Sequence, residues 1–184
     1  MSRLISDAYQ KLNYELHQSD DTYGRSGRAY AVAVAQACRC NGFTSVIDFG
    51  CGKGTLKTAL AELAPALIVT EYDPAIPGKD VLPTSKADFV VCTDVLEHVE
   101  PEHLDDVLGT IRDLSARAAL LEAATKPARK TLADGRNAHL IVKPAEWWVA
   151  KASTYFRIIH TEPKSETQAG VIIFGAPITS PASC

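Results

Sequence analysis

Nothing in this 184-residue sequence approaches the run of about 20 apolar residues that a membrane-spanning helix requires. Cysteine is sparse and wrongly spaced for a structural metal. The five thiols, Cys38, Cys40, Cys51, Cys92 and Cys184, form no C-x-x-C pair, and an odd total cannot close a disulfide framework. A reducing cytoplasm with free thiols is the expected setting. The opening stretch MSRLISDAYQKLNYELHQ alternates polar and apolar residues and lacks the apolar block of a signal peptide. A net charge of −3 lacks the positive excess that bulk nucleic-acid binding needs, although it leaves room for a local basic patch. No internal repeat or low-complexity linker divides the chain, and 46% hydrophobic with 22% charged residues is the balance of an ordinary globular domain. One domain over residues 1–184 is expected, with a helical lid or cap over 1–42 and a core over 43–177.

What is present is a rhythm of strand, turn and helix. Residues 3–18 carry Leu4, Ile5, Ala8, Tyr9, Leu12 and Leu16 near helical spacing. The polar stretch HQSDDTYGRSG follows, then an alanine-rich helix from about Arg28 to Cys40, stopped by Asn41-Gly42. Strands are predicted at Ser45–Phe49, Ala66–Tyr72, Asp88–Cys92, Ala118–Ala123, Arg157–His160 and Val171–Phe174, and helices at TLKTALAEL, Glu102–Leu114 and Pro144–Phe156. Such alternation predicts an α/β fold: a mostly parallel sheet with helices on both faces, closed by a strand pair of which one is reversed.

The strongest chemical signal is Val46-Ile47-Asp48-Phe49-Gly50-Cys51-Gly52-Lys53-Gly54-Thr55, where a buried strand runs through three glycines into a helix. Glycine lets the backbone turn tightly and approach a ligand, and the helix start beyond offers N–H groups to a carboxylate or phosphate. The dinucleotide fingerprint places its third glycine at 55, where this chain has Thr, so a nicotinamide cofactor is disfavoured. The next landmark is Asp73, 19 residues after Gly54 and at the end of a strand, suited to holding ribose hydroxyls; Glu71 is the alternative.

VIDFGCGKG, then YDP, then DFVVCTDVLEHVEPEHL resembles the class I S-adenosylmethionine (AdoMet)-dependent methyltransferases over residues 44–175. That resemblance implies a Rossmann-like sheet of seven strands with a reversed last strand. It places Asp48, Gly50, Cys51, Gly52 and Gly54 at the methionine end of the cofactor and Asp73 at the ribose. Thr93, Asp94 and Val95 would close over the methionine side. The pattern departs between Asp73 and Asp88, where only PAIPGKDVLPTSKA stands in place of a helix, a third strand and an acidic reader of adenine. Asp80 is the candidate for that last contact.

Chemistry concentrates in Asp94, Glu97, His98, Glu100, Glu102 and His103. One reading is a solvated polar helix start. Another makes His98 a general base at the carboxyl edge of the sheet. The third joins Asp94, Glu97 and His98 to His139 around a divalent metal, as in the resembling small-RNA 3′-end 2′-O-methyltransferases, which carry E-x-x-E-H and a distant His. His98 and His139 are the expected catalytic residues, with no metal. Lys126, Arg129 and Arg136, with Lys130, make the long stretch 126–143 basic and are candidates for an anionic acceptor, as is Trp147 for substrate contact. The expected activity is therefore AdoMet-dependent methyl transfer to a small or nucleotide-like, anionic acceptor. A degenerate AdoMet-binding or partner subunit is the alternative.

Overall fold

The computed structural model describes residues 4–163 and 169–178; Arg3, at the expected start of the first helix, and Cys184 lie outside them. Helix α1 (Asp7–Ser19) begins later than its apolar spacing predicts because Ser6 caps it, its hydroxyl accepting the Tyr9 N–H at 3.2 Å. A 3-10 turn (Ser26–Tyr30) leads into α2 (Ala31–Asn41), which Gly42 ends in the left-handed conformation. Then come β1 (Ser45–Phe49), α3 (Thr55–Leu63), β2 (Ile68–Tyr72) and β3 (Ala87–Thr93). Two further 3-10 turns, Leu96–His98 and Pro101–His103, precede α4 (Leu104–Leu114), so its first expected turn is wound more tightly. The chain closes with β4 (Ser115–Ala124), α5 (Ala145–Ala152), β5 (Phe156–Pro163) and β6 (Gly170–Pro177). The expected final helix is shortened because Phe156 already belongs to a strand.

Among the described residues the sheet has six strands, in the order β2-β1-β3-β4-β6-β5. The first four run parallel, and β6 is the reversed strand, antiparallel to both β4 and β5. Both faces are covered, so side chains of one strand serve opposite layers. Ile47, Phe49, Val90 and Cys92 pack with α4 and α5, whereas Val46, Phe89 and Val91 pack with α2 and α3. Residues 74–86 form turns and no strand, which makes β2 the sheet edge and leaves Ile68 69% exposed. A third cluster, built on Tyr9, Leu132 and Ala138, fastens α1 to the long stretch after β4. This brings the N-terminal helix over the carboxyl edge of the sheet.

Candidate active site

A cavity opens at that carboxyl edge. Its wall gathers Asp48, Gly50, Cys51, Gly52, Asp73, Thr93, Asp94, Val95 and His98 from the ends of β1, β2 and β3. Parallel strands all point their carboxyl ends there, and the order β2-β1-β3 sets the three loops side by side.

The glycine loop is a strained turn locked by its own chain. Gly50, Gly52 and Gly54 have φ of 76°, 51° and 72°, a region side chains disfavour. A Cβ on Gly50 would strike Val95; one on Gly52 would lie 2.5 Å from the Gly24 carbonyl oxygen; one on Gly54 would meet Glu71 and Lys79. Gly54 is absent from the cavity wall, so its small size serves the ion pair between Lys79 and Glu71 at 2.9 Å. The loop amides are also committed. Gly50 and Cys51 donate to Tyr72, Lys53 to Gly24, Gly54 to Cys51, and Gly52 to Asp73 Oδ2 at 2.9 Å. Each of these loop donors therefore already has a partner within the chain.

The carboxylates around the loop differ in state. Asp48 is 4% exposed, and its Oδ2 is buried with no hydrogen-bond partner. Burial, then the negative charge of Glu71, push its carboxyl up to about 7. Glu71 instead sits between Lys79 and Lys57, at 2.9 and 3.3 Å, and does not line the cavity. Asp73 does, and its two oxygens accept the N–H groups of Gly52 and Ala75 at 2.9 and 3.0 Å, which fixes its orientation. Asp94 occupies the left-handed region at φ 62°, unusual for a residue with a side chain and typical of strain held at a functional site.

The other side of the cavity comes from the N-terminal region: Leu4, Ile5, Tyr9, Asn13, His17 and the turn Tyr23–Gly27. The sequence reading set this region outside the core alternation as a lid or cap without naming its contacts; in the fold Gly24 lies directly over Gly52. Here the rings of His17, Tyr23, His98 and His139 follow one another, with centroids 4.6, 5.8 and 4.8 Å apart. Burial, with the neighbouring His139 adding to it, lowers the His98 pKa to about 4, so His98 is neutral. The Nδ1 of His139 lies 2.6 Å from the Lys126 carbonyl oxygen, which can only accept, so Nδ1 is the donor of that pair.

Glu97, 0% exposed, lies beneath these rings. Its Oε1 accepts the Ala124 N–H at 2.9 Å, and its Oε2 is buried without a partner. One donor atom each from Glu97, His98 and His139 fall within 4.8 Å of one another, and Asp94, Glu97 and Glu122 make a second such group.

The predicted basic contacts stand apart from the cavity wall. Lys130 pairs with Asp20 at 2.5 Å and Arg136 with Asp134 at 2.7 Å, while Lys126 and Arg129 are exposed. Trp147 is half-buried against Trp148 and does not line the cavity. Asp80 is exposed and accepts the Gly78 N–H, in a separate shallow groove.

The chain matches the methyltransferase domain family over residues 7–160. No curated protein matches it. Its fold is similar to that of 1,6-didemethyltoxoflavin-N1-methyltransferase from Burkholderia thailandensis, with a TM-score of 0.69, 13% identity and coverage of 97% of this chain and 93% of the other. It is also similar to the N-methyltransferase NodS of Bradyrhizobium japonicum (TM-score 0.60, 15% identity, 94% and 99% coverage). A third is magnesium protoporphyrin IX methyltransferase of Synechocystis (TM-score 0.57, 20% identity, 82% and 83% coverage). All three of those structures hold S-adenosylhomocysteine.

Proposed function

The chain belongs to the methyltransferase domain family, and from that premise we propose that it takes AdoMet into the cavity and methylates a small acceptor entering beside His98. The carrying observation is the unpartnered, buried Asp48 oxygen beside the glycine loop, a vacancy in charge that an ammonium group would fill. AdoMet supplies a methyl group already activated on a sulfonium, so the protein's work is to position, and to keep water out.

In this reading Asp48 binds the amino group of the methionine moiety. With the loop amides committed, the carboxylate end faces Ser26 and Gly27, both on the cavity wall. Asp73 takes the ribose hydroxyls with the lone pairs that the Gly52 and Ala75 amides leave open. Val95 and the strained Asp94 hold the floor under the reacting group. The acceptor lies among His17, Tyr23 and His98. His98 is too weak a base near neutral pH and orients the acceptor instead. His139, its Nδ1 held on the Lys126 carbonyl, stands behind His98 and acts on the acceptor by positioning that ring. The exposed Lys126 and Arg129 are the groups that favour an anionic substituent on the acceptor, outside the enclosed part of the site. Calorimetric titration with AdoMet and with S-adenosylhomocysteine tests the reading. One-to-one binding is expected, and no heat from either ligand at high micromolar concentration contradicts it.

A second reading is favoured by Glu97, His98 and His139. A carboxylate oxygen of Glu97 and a ring nitrogen of each histidine lie within 4.8 Å of one another, and Glu97 and His139 are each steadied by a backbone partner, as metal ligands are. These residues would hold a divalent cation, which would lower the pKa of an acceptor hydroxyl. Metal content after dialysis against manganese, measured for the wild type and for His139→Gln, separates the readings: bound metal lost in the variant favours the second.

A further inference from the structure

We propose that the start of α1 forms the wall against which the purine ring of AdoMet packs, and that the ring is held there without a carboxylate on its 6-amino group. This rests on the cofactor assignment above. With the glycine loop at the methionine end and Asp73 at the ribose, the purine must occupy the part of the cavity beyond Asp73. That part is lined by Leu4, Ile5, Tyr72, Ala75, Val99 and Val107. Residues 74–86, which form neither strand nor helix, supply only their first turn to it. The N-terminal segment therefore stands where a third strand and its helix would otherwise close the site.

Its position is fixed from three directions. Ser6 donates its N–H and its hydroxyl to the two oxygens of Glu100, at 2.7 and 2.6 Å. The Tyr9 hydroxyl donates to the His98 carbonyl at 2.6 Å, and Gln10 Nε2 donates to the Pro74 carbonyl at 2.5 Å. These bonds span up to 94 residues of sequence and tie α1 to both neighbouring loops. They also occupy the nearest acidic group: Glu100, on the same cavity wall and 8% exposed, is turned to Ser6, which places a donor on each of its oxygens, and Asp80 faces the neighbouring groove. Among the described residues, what remains around the ring is an apolar slot, which recognises a flat aromatic face by dispersion and burial and reads its exocyclic groups poorly.

The test is a set of calorimetric dissociation constants for S-adenosylhomocysteine and for its analogue lacking the 6-amino group. On the wild type the analogue binds within about 3-fold of the parent compound, far less than the loss of a charge-assisted hydrogen bond. Ile5→Asp and Leu4→Asp, measured separately, each weaken both ligands by about tenfold or more and by the same factor. An analogue bound more than about 30-fold more weakly by the wild type would reveal a polar reader of the amino group and overturn the proposal. So would unchanged affinity in both variants with their thermal unfolding intact. Failure of the wild type to bind S-adenosylhomocysteine at all would instead overturn the cofactor assignment, and this proposal with it.

Discussion

The protonation of Asp48 should make cofactor binding depend on pH in a way that can be worked out in advance. Asp48 is pushed up to about 7 by burial first, then by Glu71 and Asp73, with Lys79 pulling the other way. Near neutral pH roughly half of the free protein therefore carries a proton on this carboxyl. An ammonium group pairs only with the ionised form. Each pH unit below about 7 then cuts the competent fraction tenfold, about 1.4 kcal/mol per unit, so S-adenosylhomocysteine should bind about 100-fold more weakly near pH 5 than at its plateau. The stability of the free protein moves in the opposite sense. A raised folded-state pKa gives a contribution that is complete below the unfolded value of about 3.9 and is lost as pH rises through about 7. Calorimetry across that window, on the wild type and on Asp48→Asn, is the assay. His17, whose pKa burial lowers, also lines the cavity, so His17→Gln serves as the control. A dissociation constant flat between about pH 5 and pH 7, or the same slope in Asp48→Asn, would refute the reasoning.

Asp73→Ala should weaken S-adenosylhomocysteine binding by about 2 kcal/mol, whereas Glu71→Ala, whose carboxylate is held by Lys57 and Lys79 away from the cavity, should change it by less than about 3-fold; titration of both variants checks the assignment. Gly52→Ala forces a side chain at φ 51° to within 2.5 Å of the Gly24 oxygen and should cost about 1–3 kcal/mol of stability even without ligand, read as a lowered midpoint in urea. His139→Gln should slow methyl transfer while S-adenosylhomocysteine affinity stays within about 3-fold, because His139 lies behind His98 and off the cavity wall. Trp148→Ala empties a site 1% exposed and should destabilise by about 3–5 kcal/mol, with the half-buried Trp147→Ala costing less by the same denaturation assay.

The loop and its strand were legible because glycine spacing is a local signal: Val46 to Thr55 encodes the buried strand, the turn and the helix start within ten residues. Asp73, Thr93, Asp94, Val95 and His98 were legible for a related reason, since parallel strands deliver their carboxyl ends to one edge. The N-terminal half of the cavity was hidden. Ser6 meets Glu100 and Tyr9 meets His98 across about half the chain, and no periodicity encodes such pairs. The basic stretch is only partly free charge in the fold. Lys130 and Arg136 read as free charges in sequence, but Asp20 and Asp134 neutralise them in the fold. The state of Asp48 depends on Glu71 and Asp73 arriving from the neighbouring strand, 23 and 25 positions away, so it too emerges only after folding.

A crystal structure of the protein with S-adenosylhomocysteine tests the central claim most directly. The account predicts an amino group on Asp48, ribose hydroxyls on Asp73 and a sulfur facing His98. A ligand bound elsewhere, or a cavity that stays empty at saturating concentration, would contradict it.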